Sequence, residues 1–191
     1  MNVLEMLSLA LLAAAPARPA GNDLVLIEMM THAEVFEAIH NQGKTTVLVY
    51  NGGTEQRGPQ CVLGGHTLMG RKTVEAIARR LGHALAAPVL PFSPTSVDAK
   101  LPGGVTLATE LFAKINEAVV ESMVKNGFKH VILMGDHGGG QKELKELAER
   151  LEPRYAGEGV HVFYCGDVYS KANGDFSDWL AKNGLPSGGH A

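Results

Sequence analysis

The chain has 191 residues, room for one domain and little room for two. Hydrophobic residues at 45% and charged residues at 19% exclude a disordered chain, which buries too little apolar surface to fold. A formal net charge of -3, with basic residues scattered in runs no longer than a pair, excludes the basic footprint of a nucleic-acid binder.

Residues 7–17 (LSLALLAAAPA) form an apolar run followed by small residues and proline, the pattern of a secretory h-region and cleavage zone. The run is too short to span a bilayer, so no membrane span is expected in the mature chain. The six residues before it carry Glu5 and no lysine or arginine, which does not fit an n-region. The alternative is an N-terminal helix packed on the domain. The expectation is a signal-like or flexible segment over 1–22, an exported protein (periplasmic or secreted), and one α/β domain over 23–191. Cys61 and Cys165 are read either as a disulfide or as two free thiols, and no Cys-x-x-Cys pattern marks a structural zinc site.

Thr31 to His40 predicts a short amphipathic helix, with Thr31 and Glu34 as a capping box and Val35, Ile39 and Phe36 as its buried side. Thr45 to Tyr50 (TTVLVY) is a β-branched run ending at Asn51-Gly52-Gly53, as expected of a strand covered on both faces. His66 to Leu81 predicts a helix with Val74, Ile77, Ala78 and Leu81 inward. Ala87 to Phe92 reads as a second strand interrupted by prolines. Leu107 to Asn126 predicts the longest helix, lined by Leu111, Ile115, Ala118, Val119 and Met123 and stopped by Gly127. His130 to Met134 predicts a third strand, Gln141 to Leu151 a helix with Leu144, Leu147, Ala148 and Leu151 inward, Val160 to Cys165 a fourth strand, and Asp175 to Asn183 a last short helix. This alternation predicts a three-layer α/β/α fold with a mostly parallel central sheet.

In an open parallel sheet, ligands bind beyond the carboxyl ends of the strands. Two polar, glycine-rich segments fall there: Asn51 to His66 after the first strand and Gly135 to Gln141 after the third. Meeting on one rim, they bring Glu55, His66, Asp136 and His137 within a few ångströms, and carboxylate and imidazole are ligands that zinc or manganese accepts. The glycines before the Gln141 helix also fit a phosphate cradle, for which Lys142 is the one candidate cation. The segment is neither a Walker loop nor a Gly-x-Gly-x-x-Gly fingerprint.

Several motifs, taken in order, resemble the creatininase family. Gly53-Thr54-Glu55-Gln56-Arg57-Gly58-Pro59 resembles its Gly-Ser-x-Glu-Gln-His-Gly-Pro-His signature. Leu101-Pro102-Gly103-Gly104-Val105-Thr106-Leu107 is similar to its Phe-Pro-Gly-Thr-x-Ser-Leu stretch. Residues 126–140 are similar to the family strand ending in Asn-Gly-His-Gly-Gly-Asn, and Gly189-His190-Ala191 to the opening of its His-Ala-Gly segment. The resemblance runs from about residue 28 to the last. It implies a homo-oligomeric α/β protein that uses one or two divalent metals, usually zinc or manganese, to hydrolyse cyclic or linear amide C–N bonds of small molecules.

Carried over by position, the resemblance makes Glu55 and His137 metal ligands. His66 stands where the family has a bridging aspartate, Arg57 where a histidine ligand is usual, Gly139 where creatininases proper have a glutamate for a second metal, and Asp136 where a glycine is usual. A neutral imidazole has one available lone pair and does not bridge two cations, while Arg57 stays protonated and repels a second one. The expectation is therefore one divalent metal, zinc with manganese as the alternative, on Glu55, His66 and His137. Asp136 is the expected base, or else a fourth ligand or an orienting group; Arg57 is expected to stabilise the oxyanion and His190 to protonate the leaving nitrogen. Family members continue past the His-Ala, so a shortened C-terminus is expected. The alternative function is a non-catalytic relative that binds a metal or small ligand.

Overall fold

The computed structural model describes residues 24–186; the apolar run at 7–17 and His190 lie outside the described residues. Helices and strands alternate: α1 (His32–His40), β1 (Thr46–Asn51), α2 (Gly65–Leu81), β2 (Ala84–Ala86), α3 (Thr109–Lys125), β3 (His130–Gly135), α4 (Gln141–Tyr155), β4 (His161–Cys165) and α5 (Ser170–Lys182). The four strands form one parallel sheet in the order β2-β1-β3-β4. β1 and β3 pair from Thr46 with His130 to Asn51 with Gly135, so the two inner strands end side by side.

Side chains of a strand alternate between faces, and each face of this sheet carries its own core. Val47 and Val49 of β1, with Val131 and Leu133 of β3, pack against Ala38 and Ile39 of α1, Phe112 and Val120 of α3, and Leu144, Leu147, Ala148 and Leu151 of α4. On the opposite face Leu48, Tyr50, Ala84, Ala86 and Met134 meet Val74 and Ala78 of α2. The layers are thus helix, sheet, helix, as the alternation predicts. Gly70 lets α2 sit close to β1, because a Cβ there would stand 2.5 Å from the Tyr50 ring. The Thr31 cap is formed in both directions: the hydroxyl accepts from the Glu34 amide at 3.3 Å, and the Glu34 carboxylate accepts from the Thr31 amide at 2.6 Å.

Several local expectations are corrected. The second strand is Ala84–Ala86, upstream of the prolines; residues 87–92 contribute only a single bridge, Leu90 to Asn51. Proline lacks the amide proton that a ladder needs, so Pro88 and Pro91 bound the pairing. Phe36 is exposed, as is Leu81. α3 buries Phe112, Asn116 and Val120 rather than the neighbouring Leu111 and Ala118, which face solvent. The last helix begins earlier than expected, at Ser170, and none of its residues is buried. Phe176 and Trp179 stack with centroids 6.2 Å apart, both rings largely exposed. Both cysteines are free thiols. No helix among the described residues is long and apolar enough to cross a membrane.

Candidate metal centre

The site follows from the shared end of β1 and β3. Past Asn51 the chain is held to the next loop: the Gly52 amide donates to the Leu90 carbonyl at 2.9 Å, and the Ser93 hydroxyl donates to the Gly52 carbonyl. The Thr67 hydroxyl donates to the Gly53 carbonyl at 3.2 Å, and the Glu55 amide to the Leu63 carbonyl at 3.0 Å. These bonds turn Glu55 inward. His66 is the second residue of α2, and Asp136 and His137 follow β3 directly. Gln141 pins that second loop by donating to the carbonyls of Gly135 at 3.1 Å and His137 at 2.7 Å, while its own carbonyl accepts from the Tyr164 hydroxyl at 2.7 Å.

Four of the expected residues converge. Glu55 Oε1 lies 3.1 Å from His66 Nε2, and Oε2 lies 2.9 Å from His137 Nε2. The imidazoles meet edge to face at 86°, and all three side chains are buried. One donor atom from each falls within 4.8 Å of the other two. Asp136 stands behind His66, its Oδ2 3.1 Å from Nδ1. Arg57 lines the same cleft, half-buried, with Nη1 2.7 Å from the point where a Gly65 Cβ would stand.

This donor set fits a cation. The His137 Nδ1–H donates to the Gly139 carbonyl at 3.1 Å. Among the described residues His66 Nδ1 makes no hydrogen bond, but the Asp136 carboxylate 3.1 Å away favours a proton there by its charge. With the proton on Nδ1, each imidazole turns an Nε2 lone pair towards the oxygens of Glu55, which are themselves acceptors only. Three acceptors facing one another repel unless positive charge stands between them. An imidazole held by a carboxylate or carbonyl on its far nitrogen is the usual support of a metal-binding histidine.

The structure adds residues that the sequence did not single out. The Thr95 hydroxyl donates to Glu55 Oε2 at 2.5 Å, from a loop whose composition carries no signal of it. Tyr50 also lines the cleft; burial first, and the Asp136 carboxylate second, push its hydroxyl well above the usual tyrosine range, so it stays protonated. One wall of the cleft, which encloses about 1030 Å³, is built from α5 and the turn before it, including Val168, Tyr169, Phe176 and Leu180. Gly139 approaches the opposite loop closely: a Cβ there would lie 1.8 Å from the Pro94 carbonyl oxygen and 3.0 Å from the His137 ring. This backbone therefore has no space for the glutamate that the resemblance places at that position in creatininases proper.

The family model described as creatinine amidohydrolase matches residues 28–191. Among curated proteins, none matches the chain significantly. Among solved structures, a creatinine amidohydrolase superposes with a TM-score of 0.69 at 18% identity, over 86% of this chain and 64% of that one. A creatininase variant described as Zn-Zn type gives 0.69 at 20% identity, over 86% and 65%. A creatininase described with Mn gives 0.61 at 19% identity, over 75% and 58%. The chain thus spans less than two thirds of the length of these relatives. With a parallel α/β sheet, two loops meeting at its rim and a family model matched over most of its length, the chain belongs to the creatininase family.

Proposed function

We propose that the protein is a metal-dependent hydrolase of amide C–N bonds in small molecules, with one divalent cation held by Glu55, His66 and His137. The observation that carries this reading is the convergence of three buried donor atoms within 4.8 Å, with His137 hydrogen-bonded on its far nitrogen and a carboxylate 3.1 Å from that of His66. A cation bound there supplies Lewis acidity towards the amide carbonyl and a nucleophile made from water near neutral pH. Three protein donors leave a position open, the arrangement of a catalytic rather than a structural zinc site. Zinc is the expected ion, with manganese as the alternative, since both suit a nitrogen and oxygen donor set. A single ion is supported by the crowding at Gly139 and by Arg57 in place of a histidine.

Of the three roles open to Asp136, its 3.1 Å approach to His66 Nδ1 favours orienting the imidazole over acting as base or ligand. Thr95 holds Glu55, and His190 remains the proposed donor to the leaving nitrogen. Assembly into homo-oligomers is supported by the solvent-exposed Phe176 and Trp179 rings of α5, and export by the apolar run at 7–17 alone.

The test is metal analysis joined to turnover. Wild-type protein is expected to bind one equivalent of zinc or manganese and to hydrolyse members of a panel of lactams and formamides, with loss on chelation. Glu55→Gln and His137→Ala are expected to lose the metal. Wild-type protein that takes up no metal overturns the reading, and stoichiometric metal without turnover on any amide leaves the ligand-binding alternative.

A further inference from the structure

Among the described residues, Arg57 is the one lysine or arginine lining the cleft, and none of their acids pairs with it. Among the described residues no carboxylate lies within ion-pair distance of its guanidinium: Glu55 is engaged by both imidazoles and Asp136 stands against His66. A half-buried guanidinium loses part of its hydration, and its planar fork is matched by a carboxylate accepting two hydrogen bonds. With a divalent cation in place, the two carboxylates of the site are neutralised and Arg57 leaves the cleft with net positive charge. A cation on Glu55, His66 and His137 would polarise the carbonyl oxygen of the scissile amide, leaving Arg57 available for a second, permanently anionic group. The same cleft is also lined by Met69, Val168, Phe176 and Leu180, apolar surface suited to a short carbon skeleton between the two polar ends.

We infer that Arg57 is a specificity-determining residue and that the substrates are amides bearing a carboxylate a few carbons from the scissile bond. This rests on the hydrolase reading above. The expected complex pairs the substrate carboxylate with the Arg57 fork while the amide faces Glu55, His66 and His137.

The experiment compares three half-amides, malonamate, succinamate and glutaramate, with their neutral diamides. The zinc-loaded wild type, Arg57→Gln and Arg57→Lys are used, with zinc content measured on each. At least one half-amide is expected to show a KM lower than its diamide by roughly 10- to 100-fold, the range of a charge-assisted pair. Arg57→Gln is expected to erase that preference, and Arg57→Lys to keep part of it, at unchanged zinc content. Equal use of both members of every pair overturns the inference and leaves the hydrolase reading standing. So does an Arg57→Gln variant that lowers kcat alike for both members and leaves KM untouched. If no amide is turned over, the hydrolase reading fails, and calorimetric titration with succinate decides the inference separately. Binding that Arg57→Gln abolishes supports it; no binding by wild type, or equal binding by the variant, overturns it.

Discussion

Asp136 Oδ2 and His66 Nδ1 lie 3.1 Å apart, on the side of the imidazole that faces away from Glu55. A proton on Nδ1, favoured there by the charge of that carboxylate rather than by a hydrogen bond, leaves Nε2 as a donor of electrons, whichever cation arrives. Asp136→Ala is therefore expected to weaken metal binding by ~10–100-fold, the usual cost of losing such a support, with the fold retained. Competition titration with a chromogenic chelator measures it, and an unchanged affinity rejects the orienting role.

Thr95 makes a comparable argument from the carboxylate side. Its hydroxyl donates to the same Glu55 oxygen that faces His137. Thr95→Val keeps the shape and removes the donor, and hydrogen bonds to charged groups contribute about 1.5–3 kcal/mol. Metal affinity should fall in Thr95→Val and recover in Thr95→Ser.

Gly139 cannot gain a side chain without displacing the Pro94 carbonyl or the His137 ring. Gly139→Ala is expected to destabilise the protein by about 1–3 kcal/mol through overpacking and to lower metal occupancy. Gly139→Glu, which restores the residue usual at a second metal position, should create no second site. Thermal denaturation and elemental analysis check both, and a Gly139→Glu protein holding two ions would contradict the steric argument.

Away from the site, Arg150 of α4 donates twice to Glu117 of α3, at 2.8 and 2.9 Å. These hydrogen bonds hold the Glu117 carboxyl below its usual range, opposed by slight desolvation and helped by the Arg150 and Arg154 charges. A depressed carboxyl stabilises the fold above its unfolded pKa, and that contribution disappears as pH falls through the lowered value. The pair is solvent-exposed, so its worth is about 0–1 kcal/mol. Arg150→Gln should lower neutral stability by no more than that amount and converge with wild type in acid, which flattens the acid limb of a denaturant-midpoint profile.

Phe112 of α3 is fully buried against the sheet. Phe112→Ala is expected to cost ~3–5 kcal/mol, and a denaturation midpoint close to wild type would show that the α3 packing described here is wrong.

How far the sequence leads depends on which forces are local. The α4 stripe was legible because Leu144, Leu147, Ala148 and Leu151 repeat at helical spacing without interruption. β1 and β3 were legible as apolar runs bounded by glycine, and their glycine loops brought Glu55, His66 and His137 into candidacy. α3 misled because a buried polar residue, Asn116, breaks its stripe. The amide donates back to the Phe112 carbonyl at 3.1 Å, a bond that satisfies it inside the core and that composition cannot reveal. β2 was missed because Ala84, Leu85 and Ala86 have little intrinsic strand preference, and pairing with β1 overrides it. Thr95 and the α5 wall were missed because long-range folding alone brings them to the cleft.

The sheet order has a dynamic corollary. Sheet margins and unburied helices exchange their amide protons through small local openings, whereas interior strands exchange only when much of the domain opens. β1 and β3 are the interior pair, while β4 lies at a margin and α5 buries nothing. Glu55 and His137 thus follow the strands expected to exchange slowly, while one wall of their cleft belongs to a helix expected to exchange fast. Entry to the cleft is then expected to follow motion of α5 while Glu55 and His137 stay in place, separating the tempo of access from the geometry of the donors.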